Sequence, residues 1–234
     1  MYDPAPQREL WGGVVKRSRE VSTTNVPDMS ETPTAEAEVW WVRHATISPA
    51  WITAGTTQAE RERATRFDRP QWRTRFLAGR ALARHVVAAT LSITPADLVI
   101  TRTCRFCGDE THGKPTVGTT TPLWWSLSRS DDLCALALSR QVDVGLDLVS
   151  LSATVATLSP REWAAAEAVL KLSGRGLEDD PRDVKLEPGV ALAPGHPPAI
   201  VTEVPLPDTI AMLASNGALA VTVREVTGAS GVLF

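Results

Sequence analysis

Cysteine is scarce in this chain of 234 residues, and neither an excess of positive charge nor a long apolar run is present. Three cysteines are an odd number and make a poor disulfide framework. With no apolar secretory stretch near the start, they predict a protein of the reducing cytoplasm. The formal net charge of -3 at pH 7 gives no support to general nucleic-acid binding. No apolar run approaches the roughly 20 residues needed to cross a bilayer, so a membrane-spanning helix is not expected. Internal repeats are also missing. Hydrophobic residues, by contrast, make up 43% of the chain, enough for a substantial core in one large domain or two small, closely joined halves.

Residues 1–36 are polar and rich in Pro, Ser, Thr and Glu, which predicts a flexible tail or loosely docked arm. Val39-Trp40-Trp41-Val42 reads as the first strand. From Gln58 to Leu91 the pattern is helical, with Pro70 marking a break or a helix start. Arg69, Arg73, Arg80 and Arg84 form a stripe along it, either a solvated polar face or an anion-binding wall. Trp124–Ser130 and Leu133–Leu138 read as strand, polar turn and strand. Residues 179–208 are rich in proline and charge, and Ala218–Val223 resembles a final strand.

Several groups suit anion or metal chemistry. In Val142–Val149 a strand alternation places Val142, Val144, Leu146 and Leu148 on one face and Asp147 with Val149 on the other. Trp163, Glu167 and Lys171 recur at four-residue spacing, so a helix displays indole, carboxylate and ammonium in one row, which is a phosphate site or an ordinary surface pair. Gly174-Arg175-Gly176 supplies its C-cap. His112-Gly113-Lys114-Pro115 makes a stiff loop that offers an ammonium and backbone N–H groups to a phosphate. Ser126, Ser128 and Arg129 suit anion capture or a plain hairpin end. Cys104, Cys107 and His112 have the makings of a zinc site but lack a fourth ligand, since Cys134 sits in an apolar run where a packed thiol is expected.

Taken in order, Arg63 through Arg84, His112-Gly113-Lys114-Pro115, Ser126-Leu127-Ser128, Val144-Gly145-Leu146-Asp147 and Glu167–Lys171 with Gly174-Arg175-Gly176-Leu177 resemble the 4'-phosphopantetheinyl transferases of the surfactin-synthetase-activating type. The Cys104–Pro115 block is similar to the form seen in actinobacterial members. The resemblance covers roughly residues 39–223. It implies an α/β fold of two similar halves related by a pseudo-twofold axis, here residues 37–140 and 141–234, with coenzyme A bound between them. It also implies transfer of the phosphopantetheine arm from coenzyme A to a serine of an acyl or peptidyl carrier protein of secondary metabolism, such as polyketide or nonribosomal peptide synthesis. The chain would act as a monomer. By the same resemblance Arg63 and Lys114 hold nucleotide phosphates, with Pro115 stiffening the loop and Ser128 and Arg129 assisting. Lys171 contacts the pyrophosphate, Asp147 binds magnesium, and Glu167 binds it too or serves as general base.

The chain departs from that pattern at four places. Val149 stands where a second acid is usual, Ala166 where a lysine is usual, and Arg129 where a histidine is usual. The segment from Val149 to Glu167 is also shorter than in typical members. An alternative therefore remains open: a repurposed relative that has lost transferase activity and binds a carrier-bound or small-molecule intermediate, with or without catalysing another reaction such as cyclisation.

Overall fold

The computed structural model describes residues 15–21, 34–104, 107–110, 113–153, 157–174 and 179–227. His112 and residues 175–177, which belong to two of the motifs above, lie outside them.

Two five-stranded sheets are stacked between two helices, in a mixed α/β arrangement. The first sheet contains β1 (Val15–Val21), β2 (Ala35–Arg43), β5 (Trp124–Arg129), β6 (Leu133–Ser139) and β12 (Leu219–Val226), in the order β1-β12-β2-β6-β5. The second contains β7 (Val144–Ser150), β8 (Lys185–Glu187), β9 (Val190–Leu192), β10 (Ala199–Glu203) and β11 (Thr209–Ser215), in the order β7-β11-β10-β9-β8. A small hairpin pairs β3 (Ile100–Arg102) with β4 (Pro115–Val117). The long helix α3 (Pro70–Thr90) covers the first sheet, and α4 (Pro160–Ser173) covers the second. Two short helices, α1 (Pro49–Ala54) and α2 (Gln58–Ala64), precede α3.

Alternation explains the layering. On β2, Trp40 and Val42 point to the α3 side while Val39 and Trp41 point to the other sheet, which is why a run that is apolar throughout forms a strand buried on both faces. On β6, Cys134, Leu136 and Leu138 join the α3 core, and Leu133, Ala135 and Ala137 join the core between the sheets. That middle core receives Val144, Leu146 and Leu148 from β7 and Ala211 and Leu213 from β11, whose alternate residues Ile210, Met212 and Ala214 face α4. Leu82, Leu136, Leu146 and Leu213 are at most 1% exposed, and each such side chain contributes roughly 1.5–3 kcal/mol.

The helix boundaries follow local chemistry. Pro70 is the first residue of α3, so the long helical pattern is divided there into α2 and α3. Thr57 and Glu60 close a capping box on α2, and Ser159 and Glu162 close one on α4. Gly174 ends α4 in a left-handed conformation at φ 77°. Arg84 is buried and therefore no part of a solvated stripe. It pairs with Glu60 at 3.2 Å and donates to the Leu98 carbonyl at 2.6 Å, pinning α2 onto α3. Burial pushes the Glu60 carboxyl up, but the backbone N–H of Thr57 and the charge of Arg84 outweigh it and hold the group below its ordinary value.

Chain order and sheet order differ. The segment 1–36, expected as a tail, contributes β1, which pairs antiparallel with β12, and β12 in turn runs parallel to β2. The last strand among the described residues is thus an inner strand of the first sheet, although residues 141–234 were expected to form the second half. Among the described residues no helix is long and apolar enough to cross a membrane.

Candidate functional site

β5 and β7 are the edge strands of their sheets and lie side by side, yet no backbone ladder joins them. Serine hydroxyls do so instead. The N–H of Leu146 donates to Ser126 Oγ at 2.9 Å, and the N–H of Leu148 donates to Ser128 Oγ at 3.1 Å. Ser130, the next on that face, meets Thr209 Oγ1 at 3.3 Å. Outward N–H groups of a buried edge need partners, and a serine at every second position provides them without closing the sheets into one.

The second partner of Ser128 is a carboxylate. Its Oγ donates to Asp147 Oδ1 at 2.8 Å, the ammonium of Lys171 is ion-paired with the same oxygen, and Lys171 also donates to Ser128 Oγ at 3.1 Å. Asp147 and Val149 lie on the β7 face toward α4, as does Gly145, where an added Cβ would stand 2.0 Å from the Ala168 carbonyl and 2.5 Å from the Leu172 nitrogen. Only glycine lets the helix backbone approach so closely, and that approach sets the row Trp163, Glu167, Lys171 beside Asp147. These three are half-buried, while Ala164–Ala166 and Ala168–Leu170 are buried. Burial first, and then the charge of Asp147, raise the Glu167 carboxyl above its ordinary value, with Lys171 opposing. The group is poised to accept a proton.

A groove of about 610 Å³ crosses the end of the β5–β7 seam, with Arg63, Phe76, Arg80, Arg102 and Arg129 on one wall and Val149, Ala153 and Trp163 on the other. Arg63, Phe76, Arg80 and Arg102 also line an adjoining basin of about 730 Å³, together with Glu60 and Glu110. The stem of Arg129 lies over Gly79 of α3, where an added Cβ would stand 2.9 Å from Arg129 Cδ. Four guanidinium groups are thereby gathered. Desolvation, then Arg102, and further on Arg129 and Arg63 pull Arg80 down to about 10 against the opposing charge of Glu60. Arg102 is lowered as well, first by desolvation and then by Arg63. Among the described residues no carboxylate lies within ion-pair distance of Arg63, Arg102 or Arg129. Arg63, Arg102 and Arg129, crowded and not ion-paired, leave a positive surplus that attracts anions, although Glu60 pairs with Arg80. Asp147, Glu167 and Lys171 do not line the groove; Asp147 stands two residues along β7 from Val149, and Glu167 and Lys171 stand one and two turns along α4 from Trp163.

Lys114 is placed differently. Only 9% exposed, it contacts Asp143 and donates to the Val144 carbonyl at 2.8 Å and the Leu172 carbonyl at 3.3 Å, capping the last turn of α4. Pro115 opens β4 opposite Arg102. Cys104 is buried and Cys107 exposed, held in a turn where the Gly108 N–H donates to the Cys104 carbonyl at 2.9 Å. Among the described residues no cluster of three or more His, Cys, Asp or Glu side chains is positioned to hold a metal. Magnesium nevertheless commonly takes only one or two protein carboxylates and completes its shell with phosphates and waters. Asp147 and Glu167 are close enough for the charge of Asp147 to raise the Glu167 carboxyl. Val149 and Ala166, 8% and 1% exposed, pack in the α4 core, and Val149 also faces the groove.

Sequence reasoning missed Arg102, Thr209 and the partner of Lys114, Asp143. Arg102 lies on a three-residue strand too short to show a period, and the other two act through contacts distant in sequence.

No family model matches the chain. Curated proteins do. The chain is 28% identical to the 4'-phosphopantetheinyl transferase HetI of Nostoc sp. over 181 residues, covering 64% of this chain and 71% of that protein. It is 34% identical to a phosphopantetheinyl transferase of Thraustochytrium sp. over 138 residues, 56% of this chain and 46% of that protein. To the 4'-phosphopantetheinyl transferase AcpT of Escherichia coli O157:H7 it is 42% identical over 76 residues, 32% of each. The three relatives agree in name, and their agreement supports the 4'-phosphopantetheinyl transferase superfamily for this chain.

Proposed function

We propose that the protein transfers the 4'-phosphopantetheine arm of coenzyme A to a serine of an acyl or peptidyl carrier protein, in the manner of the surfactin-synthetase-activating type. The observation that carries this reading is an arginine-lined groove that ends at Val149 and Trp163, next to which β7 and α4 carry a carboxylate–ammonium cluster. Coenzyme A is an elongated dianionic anhydride with a third phosphate on its ribose, and it needs cations along its length. Arg63, Arg80, Arg102 and Arg129 hold the nucleotide phosphates, and Lys171 turns to the pyrophosphate. Lys114, which the resemblance also assigns to a nucleotide phosphate, would join them by giving up Asp143. The helix–sheet–sheet–helix layering accords with two halves related by a pseudo-twofold axis.

The reaction forms a bond between the carrier serine oxygen and the phosphorus bearing the pantetheine arm and breaks the anhydride bond, so that adenosine 3',5'-bisphosphate leaves. Glu167, with its raised carboxyl, takes the serine proton. Asp147 and Glu167 would hold magnesium, which when bound supplies neutralising charge to the phosphates. Ser128 keeps Asp147 oriented through its 2.8 Å bond. Incubation with coenzyme A, magnesium and a panel of apo-carrier proteins, followed by intact mass measurement, tests the reading. Gain of the arm is expected, and no gain on any carrier would refute it.

A further inference from the structure

Lys171 occupies a position that two other cations have reason to contest. Its ammonium is paired with Asp147 Oδ1 and bonded to Ser128 Oγ at 3.1 Å, while Glu167 lies one helical turn before it. The Asp147 side chain is 10% exposed and that of Lys171 is 29% exposed, so the carboxylate is the more enclosed of the pair. A divalent ion reaching Asp147 would meet a like charge already in contact with its ligand. Lysine carries that charge on a flexible stem of four carbons with three rotatable donors, and a phosphate offers it a partner at least as strongly charged as the carboxylate. Ser128 stays behind when the ammonium leaves, because its oxygen is fixed by the Leu148 N–H at 3.1 Å and its hydroxyl still orients Asp147.

The geometry points to Lys171 as a latch: in the free protein it holds Asp147 against divalent cations, and an incoming phosphate of coenzyme A draws it off, so that the cation enters with or after the nucleotide. This inference rests on the proposed coenzyme A site. It has a reciprocal consequence, because whatever factor coenzyme A adds to cation affinity the cation must add to coenzyme A affinity. Arginine cations elsewhere in the groove do not substitute for Lys171 here, since among the described residues Lys171 alone is ion-paired with Asp147.

Manganese binding, followed by the electron paramagnetic resonance of the free ion, reads this without any turnover. The free wild-type protein is expected to bind Mn²⁺ weakly. Coenzyme A should tighten that binding by about tenfold or more, after subtraction of the ion bound by coenzyme A alone. Lys171→Met should bind Mn²⁺ tightly without coenzyme A and gain little from it, whereas Lys171→Arg, which keeps the charge, should stay weak. Circular dichroism melts check that the variants fold, and if Lys171→Met does not, the wild-type comparison with and without coenzyme A still decides. Equal Mn²⁺ affinity with and without coenzyme A in the wild type, or equal affinity in the wild type and Lys171→Met, overturns the latch. Calorimetry of coenzyme A alone separates the two levels: binding of coenzyme A with no cation linkage discards the latch and leaves the transferase reading standing, whereas no binding of coenzyme A discards both.

Discussion

The arginine groove and the carboxylate cluster beside it, the two ends of the candidate site, treat charge in opposite ways. At one end Arg63, Arg80, Arg102 and Arg129 crowd together and outnumber the acids that share their walls, Glu60, Glu110 and Asp131, and at least two of these groups are lowered by desolvation and mutual repulsion. At the other end Asp147, Lys171 and Ser128 satisfy one another, and Glu167 answers its surroundings with a raised carboxyl. The first end stores electrostatic cost that an anion can relieve. The second is closed on itself and must be opened before it can bind. A site that is strained at one end and self-satisfied at the other favours a ligand that lands on the arginines first.

The comparison breaks most severely at Glu167. Replacement by Gln removes the proton acceptor, and single-turnover transfer to an apo-carrier is expected to slow by about 10²–10⁴-fold. Stability should move the other way. A carboxyl raised in the folded protein contributes stability that is full below its unfolded value and is lost as pH rises through the folded value, so at neutral pH the wild type carries the whole cost of keeping Glu167 charged. Glu167→Gln should therefore melt above wild type at pH 7, with the difference shrinking toward acid pH. A lower melting temperature at pH 7 would show that the charge is structurally required.

Gly145→Ala attacks the placement of the cluster rather than its chemistry. A methyl group 2.0 Å from the Ala168 carbonyl must push α4 off β7. The expected loss is about 3 kcal/mol, which lowers the melting temperature by roughly 6–12 °C at the usual 2–4 °C per kcal/mol for a chain of this size. Coenzyme A affinity of the fraction that folds should fall far less, because the arginine basin hangs on α2, α3 and β3. Equal damage at both ends would mean that the ends are not independent.

Ser126→Ala tests the seam that runs under both. The N–H of Leu146 would lose its only acceptor in a place where Leu146 is 0% exposed, and an orphaned buried donor costs about 1–3 kcal/mol. Chemical denaturation should show that loss with an unchanged m-value. Ser126→Thr, which keeps the hydroxyl, should recover part of it.

What was legible in the sequence was mostly what is local or periodic. Asp147 with Val149 on one face of β7, the row of Trp163, Glu167 and Lys171 on α4, Pro70 as a helix start and Gly174 as a cap could all be read from spacing and residue type. Strands β8–β10 were hidden in a segment rich in proline and charge, because short strands with exposed residues carry little hydrophobic pattern. β1 was hidden for a different reason: a polar segment becomes a strand when a partner, here β12, supplies the hydrogen bonds. Lys114 illustrates the limit for site residues. Its motif announces a cation on a stiff loop, but whether that cation meets a phosphate or Asp143 depends on where β7 and α4 end, and no spacing within the motif contains that information. The same holds for Val149 and Ala166, which are apolar by sequence but acquire meaning only as packing under α4.

Arg102→Gln is the gentlest test and the one that separates the two ends most cleanly. Arg102 is the first charged neighbour lowering Arg80, which stands at about 10 against an ordinary 12.5. A base lowered in the folded protein costs stability at every pH where both states are charged, so the cost is complete below about 10 and is relieved only above it. Removing Arg102 should thus stabilise the unliganded protein slightly, by less than about 1 kcal/mol given the solvent screening of half-exposed charges. The gain should be flat from pH 6 to pH 9, because neither Arg80 nor its unfolded counterpart titrates there. Coenzyme A binding should weaken roughly tenfold for the loss of one charge-assisted contact, while Mn²⁺ binding to the free protein should not change, since Arg102 has no contact with Asp147. If Arg102→Gln instead lowers the melting temperature, the crowding of the arginines is not a stored cost, and the basin would have to draw its anion by shape rather than by unrelieved charge.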